Sequence, residues 1–196
     1  TEVIVHGYEE WGEDFVQRLN GMFAIALHDL ANRTVILVRD HLGIKPLYFS
    51  HQPNRLIFGS EIKALLATDW INKDINRTGL AEFMAWEYVP GRSTLFAGVE
   101  KLLPGEMLTI NMDQPARRPK KYWDIPLSPE QSSVFSAEDW EEKIFEQVQK
   151  STRMQMISDV PLGAFLSGGV DSSLIAASMG QVQTFSIGFD DPTYNE

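Results

Sequence analysis

Hydrophobic positions recur at two different periods along this chain, and the change from one to the other outlines its elements. From Glu2 to Leu19 the residues Val3, Ile4, Tyr8, Trp11, Phe15 and Leu19 return every third or fourth position, which predicts two helical pieces broken at Gly12. After the turn signal Asn20-Gly21, Met22 to Leu27 predicts an apolar strand. Thr34 to Val38 answers it across a turn at Ala31-Asn32-Arg33, as a hairpin partner. Arg39 to Pro46 is expected as a loop, with strands at Leu47 to Ser50 and Arg55 to Phe58 around a turn at Pro53-Asn54. Ser60 is placed to cap a short helix through Ala67, and Thr78 a second one from Gly79 to Trp86 that Pro90-Gly91 ends. A Leu103-Pro104-Gly105 turn then leads into a strand from Met107 to Ile110.

The pattern lapses between Asn111 and Ser133, a stretch rich in Pro, Gln and Ser. It carries Arg117, Arg118, Lys120 and Lys121, read as a solvated basic linker rather than a polyanion site. Beyond it Ser136 and Asp139 form a capping-box pattern, with Phe135 and Trp140 spaced for a hydrophobic staple. A helix is expected from Ala137 to about Met156, with Trp140, Ile144 and Val148 as its buried stripe. Leu162 to Leu166 is short and apolar enough for a buried parallel strand, Leu174 to Met179 suits a helix stopped by Gly180, and Val182 to Ile187 is a second strand. Helix, strand, loop, helix, strand is the opening of a doubly wound parallel sheet, so the fold class expected for this part is α/β.

Composition narrows the function classes. The 196 residues are 43% hydrophobic, enough for real cores in one large or two small domains. A net charge of −10 argues against nucleic acid or an anionic membrane as the main partner. The chain has no Cys, which removes disulfides, thiolate metal sites and any cysteine nucleophile. The residues His6, His28, His41 and His51 show no paired metal-ligand spacing. No apolar run approaches the roughly 20 residues of a membrane span and the opening residues do not read as a signal peptide, so a cytoplasmic location is expected. The start at Thr1 and the stop at Tyr194-Asn195-Glu196 are read as the ends of a piece of a longer protein.

The chemistry concentrates in Ser167-Gly168-Gly169-Val170-Asp171-Ser172-Ser173, between the expected strand and helix. Gly168 and Gly169 let the backbone turn sharply, so that successive N–H groups can point at one anion at the positive end of a helix. Ser167, Ser172 and Ser173 add hydroxyl donors. Gly163 to Gly168 has the glycine spacing of a Walker A loop, but Gly169 stands where the lysine should be. Asp171 would repel a bare phosphate, so its natural partner is Mg²⁺ carried by a nucleotide.

This run resembles the pyrophosphate loop of the ATP pyrophosphatases, which cleave ATP between its α and β phosphates. Upstream, Leu19 to Leu27, Arg39-Asp40 with Gly43 to Tyr48, and Gly59 to Leu65 together resemble the later part of the class II glutamine amidotransferase domain of the asparagine synthetases. Leu103-Pro104-Gly105 and Tyr122-Trp123 fit the same family. The resemblance implies residues 1–115 as part of an Ntn-type α+β sandwich, 116–135 as a linker, and 136–196 as the start of an ATP-pyrophosphatase domain.

It further implies a ligase in which glutamine is hydrolysed to ammonia, aspartate is adenylated by ATP, and ammonia displaces AMP to give asparagine. Its partners would be small molecules: aspartate, ATP, and glutamine or ammonia. A homodimer is compatible with it. Carried over residue by residue, the resemblance makes Leu166, Ser167, Gly168, Gly169, Asp171, Ser172 and Ser173 the ATP loop, with Asp171 toward Mg²⁺ and Ile187 near the adenine. The family's glutaminase cysteine has no counterpart in a chain without Cys, so these residues alone are expected to be inactive. Arg39, Asp40 and Lys45 are read as an ion pair bracing the sandwich, and Asp190-Asp191 are left open between a turn and a metal. Two other readings stay in view: a relative using the same loop on another carboxylate, such as a β-lactam synthetase or biosynthetic-cluster amidotransferase, and a non-catalytic remnant that binds nucleotide.

Overall fold

A computed structural model describes residues 1–53, 55–111, 113, 118–127 and 135–191. It divides into two compact units, Thr1–Pro126 and Leu127–Glu196. Asn54 of the expected turn, Arg117 of the basic cluster, residues 116–117 and 128–134 of the expected linker and the chain end at Tyr194 to Glu196 lie outside the described residues.

In the first unit, helix α1 (Glu2–Trp11) gives way at Gly12 to a 3-10 helix, Gly12–Arg18. Strands β1 (Ala24–Asp29) and β2 (Thr34–Arg39) pair as the expected antiparallel hairpin, Ala24 opposite Arg39 and Asp29 opposite Thr34. β3 (Tyr48–Gln52) and β4 (Arg55–Gly59) form a second hairpin. Helices α2 (Ile62–Leu66) and α3 (Arg77–Trp86) follow, then β5 (Glu100–Lys101), β6 (Glu106–Asn111) and β7 (Lys120–Lys121). One sheet runs β1-β2-β6-β7 and the other β4-β3-β5, all neighbours antiparallel.

The alternation along β2 explains the layering. Ile36 and Val38 point to one face, where they pack with Phe15 and Val16 of the 3-10 helix and with Met107. Leu37 points to the other, against Leu47 just before β3, Phe49 within it, Leu102, and Leu108 and Ile110 of β6. Both faces of the first sheet are therefore covered at β2, where Ile36, Leu37 and Val38 are fully buried. Burying each such side chain is worth roughly 1.5–3 kcal/mol. A third cluster of Leu65, Ile71 and Val99, joined by Tyr48 and Ile57, covers the outer face of the second sheet. The order is helix, sheet, sheet, helix.

Several local expectations are corrected. The caps of α2 and α3 are Glu61 and Asn76, not Ser60 and Thr78, and neither makes a side-chain cap bond. The Asn76 amide instead donates to the Thr94 carbonyl at 3.0 Å, so tertiary pairing starts α3 earlier than its sequence signal. That helix ends at Glu87, which adopts φ 63° ahead of Pro90. Lys120–Lys121, inside the segment expected as linker, pair with Glu106 and Met107. Two-residue strands such as β5 and β7 show no period of their own and form only because a neighbouring edge is open.

The second unit opens with α4 (Ala137–Gln155). Ser136 Oγ accepts from the Asp139 N–H at 3.1 Å, and Asp139 Oδ2 accepts from the Ser136 N–H at 2.9 Å. The rings of Phe135 and Trp140 meet edge-on at 5.2 Å, so the capping box and the staple both form. β8 (Gly163–Phe165), α5 (Val170–Met179) and β9 (Gln183–Phe185) then make a βαβ unit with the strands parallel.

Burial here differs from expectation. Trp140 and Ile144 are 38% and 57% exposed and Val148 is half-buried, while Phe165 of β8 is 80% exposed. Among the described residues this unit offers α4, α5 and a two-stranded sheet, too little surface to close over every apolar face. The stripe lines a cleft of about 620 Å³ with Met156, Leu162 and Ile175.

Candidate functional site

The loop from Leu166 to Ser173 sits between β8 and α5, at the carboxyl end of the first strand of the parallel pair, where ligands of open α/β sheets bind. Gly168 makes the turn with φ 96°, a value that any Cβ would strain. Gly169 is the N-cap of α5, in extended backbone, and its carbonyl accepts the Ser173 N–H at 3.1 Å to start the helix. Asp171 lies in the first turn of that helix, exposed. Because Gly169 holds the cap, Asp171 is free of that role.

The hydroxyls converge. The Gly169 N–H donates to Ser167 Oγ at 3.3 Å, the Ser167 and Ser172 hydroxyls are 3.2 Å apart, and the Ser172 hydroxyl donates to the Gly169 carbonyl at 3.1 Å. With the Ser172 proton on that carbonyl, the proton between the two hydroxyls comes from Ser167. The loop thus spends these donors on itself, and the Gly169 N–H points at Ser167 rather than outward as expected. Hydroxyl rotation would turn both serines toward an anion.

The start of the loop is held from β9. The Leu166 N–H donates to the Phe185 carbonyl at 2.9 Å, and the Ser186 hydroxyl donates to the Leu166 carbonyl at 2.6 Å. Ser167, Gly169, Ser172 and Ser173 are therefore brought together by direct bonds, while Leu166 is bonded to Phe185 and Ser186. Ile187 is 76% exposed, and the bond to the loop is made by its neighbour Ser186. Ser186 was missed by sequence reasoning, since one serine in an apolar strand carries no signal until the opposite carbonyl is known.

Mg²⁺ and its nucleotide are tested by the donor set. Among the described residues no group of three His, Asp or Glu side chains could hold a metal ion, which also leaves Asp190-Asp191 without such a cluster. One exposed carboxylate at a phosphate-type loop fits Mg²⁺ instead, which usually binds through one or two carboxylates together with substrate phosphates.

In the first unit the Arg39-Asp40 pair braces the fold, but not as an ion pair. Arg39 donates to the carbonyls of Lys45, Leu102 and Gly43 at 2.9, 2.7 and 2.7 Å. Asp40 is buried and accepts backbone N–H groups from Phe23, Ile44 and Lys45 at 3.2, 2.9 and 2.9 Å. Burial alone would raise its pKa, yet the backbone donors of Lys45, Ile44, Phe23 and Gly43 outweigh it and hold the carboxyl below its ordinary range. Tyr122 donates to the Arg39 carbonyl at 2.8 Å, and burial, aided by the Asp40 charge, pushes its pKa up to about 12.

An ion pair elsewhere in this unit was not visible in the sequence. Arg92 grips both oxygens of the buried Glu106 at 2.7 and 2.8 Å. The described basic residues of 118–121 are dispersed, Lys121 pairing with Asp124 at 2.8 Å and Arg118 lining a cavity of about 520 Å³ with Arg92, His51 and Glu100.

Comparison with known proteins places these observations. Residues 1–123 match the family model described as glutamine amidotransferase domain, and residues 143–196 match the one described as asparagine synthase. The chain is 37% identical to asparagine synthetase (glutamine-hydrolyzing) 3 of Bacillus subtilis, over 90% of its own length and 28% of that protein's. It is 33% identical to asparagine synthetase (glutamine-hydrolyzing) 1 of the same organism, over 100% of its length and 31% of the relative's. It is also 30% identical to amidase chry2 of Gibberella zeae, over 89% of its length and 26% of the relative's. The chain thus spans less than a third of these proteins.

Proposed function

From the premise that the chain belongs to the glutamine amidotransferase domain family and runs on into an asparagine synthase domain, we propose that it is part of a glutamine-dependent asparagine synthetase. The first unit, helix, sheet, sheet, helix, is the later part of an Ntn-type sandwich. The second is the start of an ATP-pyrophosphatase domain, and the division falls within residues 116–135. The parent enzyme is a cytoplasmic ligase that consumes ATP, aspartate and glutamine.

The observation that carries this reading is the loop itself: Gly168 turning at φ 96°, with Ser167 and Ser172 converging at 3.2 Å beside a helix N-terminus, in a parallel βαβ unit. A carboxylate is a poor acyl donor, and transfer of AMP to it supplies a good leaving group. The chain's own part in that step is to hold the pyrophosphate. First-turn N–H groups of α5, which have no partner within the helix, face the phosphates, and Ser167, Ser172 and Ser173 offer hydroxyls. Asp171 is placed to hold Mg²⁺, which when bound neutralises charge on the departing pyrophosphate. Leu166 opens the phosphate loop, and Ile187 lies near the adenine.

Amidase chry2, matched over nearly the same span under another name, favours a second reading in which the acceptor is a different carboxylic acid. One assay separates them: pyrophosphate release from ATP and Mg²⁺ by the full-length protein, with aspartate or other carboxylic acids. Aspartate-dependent release is expected. Release with another acid and none with aspartate would replace the first reading by the second, and no release with any acid would leave neither enzyme reading standing.

A further inference from the structure

Two parts of the nucleotide loop come from strands that the backbone ladder joins only as far as Leu166. β8 and β9 pair through Phe165 and Phe185, and the Leu166 N–H still finds the Phe185 carbonyl at 2.9 Å. Past that point the chains diverge, Leu166 toward Ser167 and the turn at Gly168, Ser186 toward Ile187. The next tie is a side chain: the Ser186 hydroxyl donates to the Leu166 carbonyl at 2.6 Å. Leu166 is thus fixed at both its N–H and its carbonyl by consecutive residues of one strand. The peptide so fixed leads directly into Ser167, whose Oγ accepts the Gly169 N–H and meets the Ser172 hydroxyl.

We infer that Ser186 is a positioning residue that sets the spacing between the two halves of the nucleotide site, the base beside Ile187 and the phosphates in the loop. The inference rests on the ATP reading above and adds to it a residue that acts through Leu166 rather than on the ligand itself. Its hydroxyl bonds a backbone carbonyl, so it acts through the orientation of the Leu166-Ser167 peptide. A ligand spanning both halves depends on that spacing, whereas one that occupies a single half does not.

The test is ligand binding to the full-length protein with Ser186→Ala and Ser186→Thr, measured by calorimetry or competition with MgATP, adenosine and Mg-pyrophosphate, alongside melting temperatures. Ser186→Ala is expected to weaken MgATP about tenfold, the scale of one hydrogen bond, while adenosine and pyrophosphate change by less than about twofold. Ser186→Thr keeps the hydroxyl and is expected to restore MgATP affinity. Equal weakening of all three ligands would make Ser186 merely structural, and an unchanged MgATP affinity would make it irrelevant; either overturns the inference and leaves ATP binding intact. If the unsubstituted protein binds no MgATP, the nucleotide reading itself falls and takes this inference with it.

Discussion

Replacing Asp40 by Asn tests whether the first unit is braced by a carboxylate rather than by an ion pair. The substitution keeps the shape but leaves one acceptor oxygen where the structure uses two. Asp40 Oδ2 takes the Phe23 and Lys45 N–H groups and Oδ1 takes that of Ile44. Whichever way the Asn amide turns, its NH₂ faces at least one N–H donor. The lost bond is one to a charged group, worth about 1.5–3 kcal/mol, and a stranded buried donor costs about 1–3 kcal/mol. The two estimates overlap in what they count, so a total of about 2–4 kcal/mol is expected, a large share of the roughly 5–15 kcal/mol of a whole domain.

For a chain of this size that is a fall in melting temperature of about 6–12 °C. The pH dependence has a definite sign. The folded carboxyl is held below its ordinary range, so its contribution is fully present above about pH 4 and is lost as pH falls through the folded value. Asn does not titrate, so the gap between the two proteins should stay level from pH 7 to about pH 5 and narrow below about pH 4. Urea unfolding followed by circular dichroism at several pH values measures it. A gap under about 0.5 kcal/mol at pH 7, or one that widens on acidification, would refute the backbone-brace account.

Two other outcomes follow from the same structure. In the full-length protein Asp171→Asn should lower Mg-dependent pyrophosphate release by orders of magnitude, since charge neutralisation by a metal is worth several kcal/mol in the transition state. Its stability should change by at most about 1 kcal/mol, because Gly169 and not Asp171 caps α5; a near-normal rate at saturating Mg²⁺ would remove the metal role. The 196-residue chain should release no glutamate from glutamine, as it contains no Cys, and release above background in a preparation free of host enzymes would contradict this.

Local and periodic features were determined by the sequence alone. The β1-β2 hairpin, the break at Gly12, the capping box at Ser136 and the strand-loop-helix around Ser167 to Ser173 each rest on residues within one turn or a few positions of one another. Their physics is short-range, so it is written in the order of residues. The tertiary structure decided what depends on distant partners. Lys120–Lys121 became a strand because the β6 edge was open to them, and Asn76 began α3 because Thr94 lay within reach of its amide. Arg39 and Asp40, adjacent and opposite in charge, spend their polar atoms on backbone groups from three segments instead of on each other. Ser186 gained its bond to the Leu166 carbonyl only when β9 came to lie beside β8, 20 residues from Leu166 in the chain. Burial followed the same rule: Trp140 and Ile144 recur with helical period, but period shows only that residues share a face, and whether that face is covered depends on what packs against it.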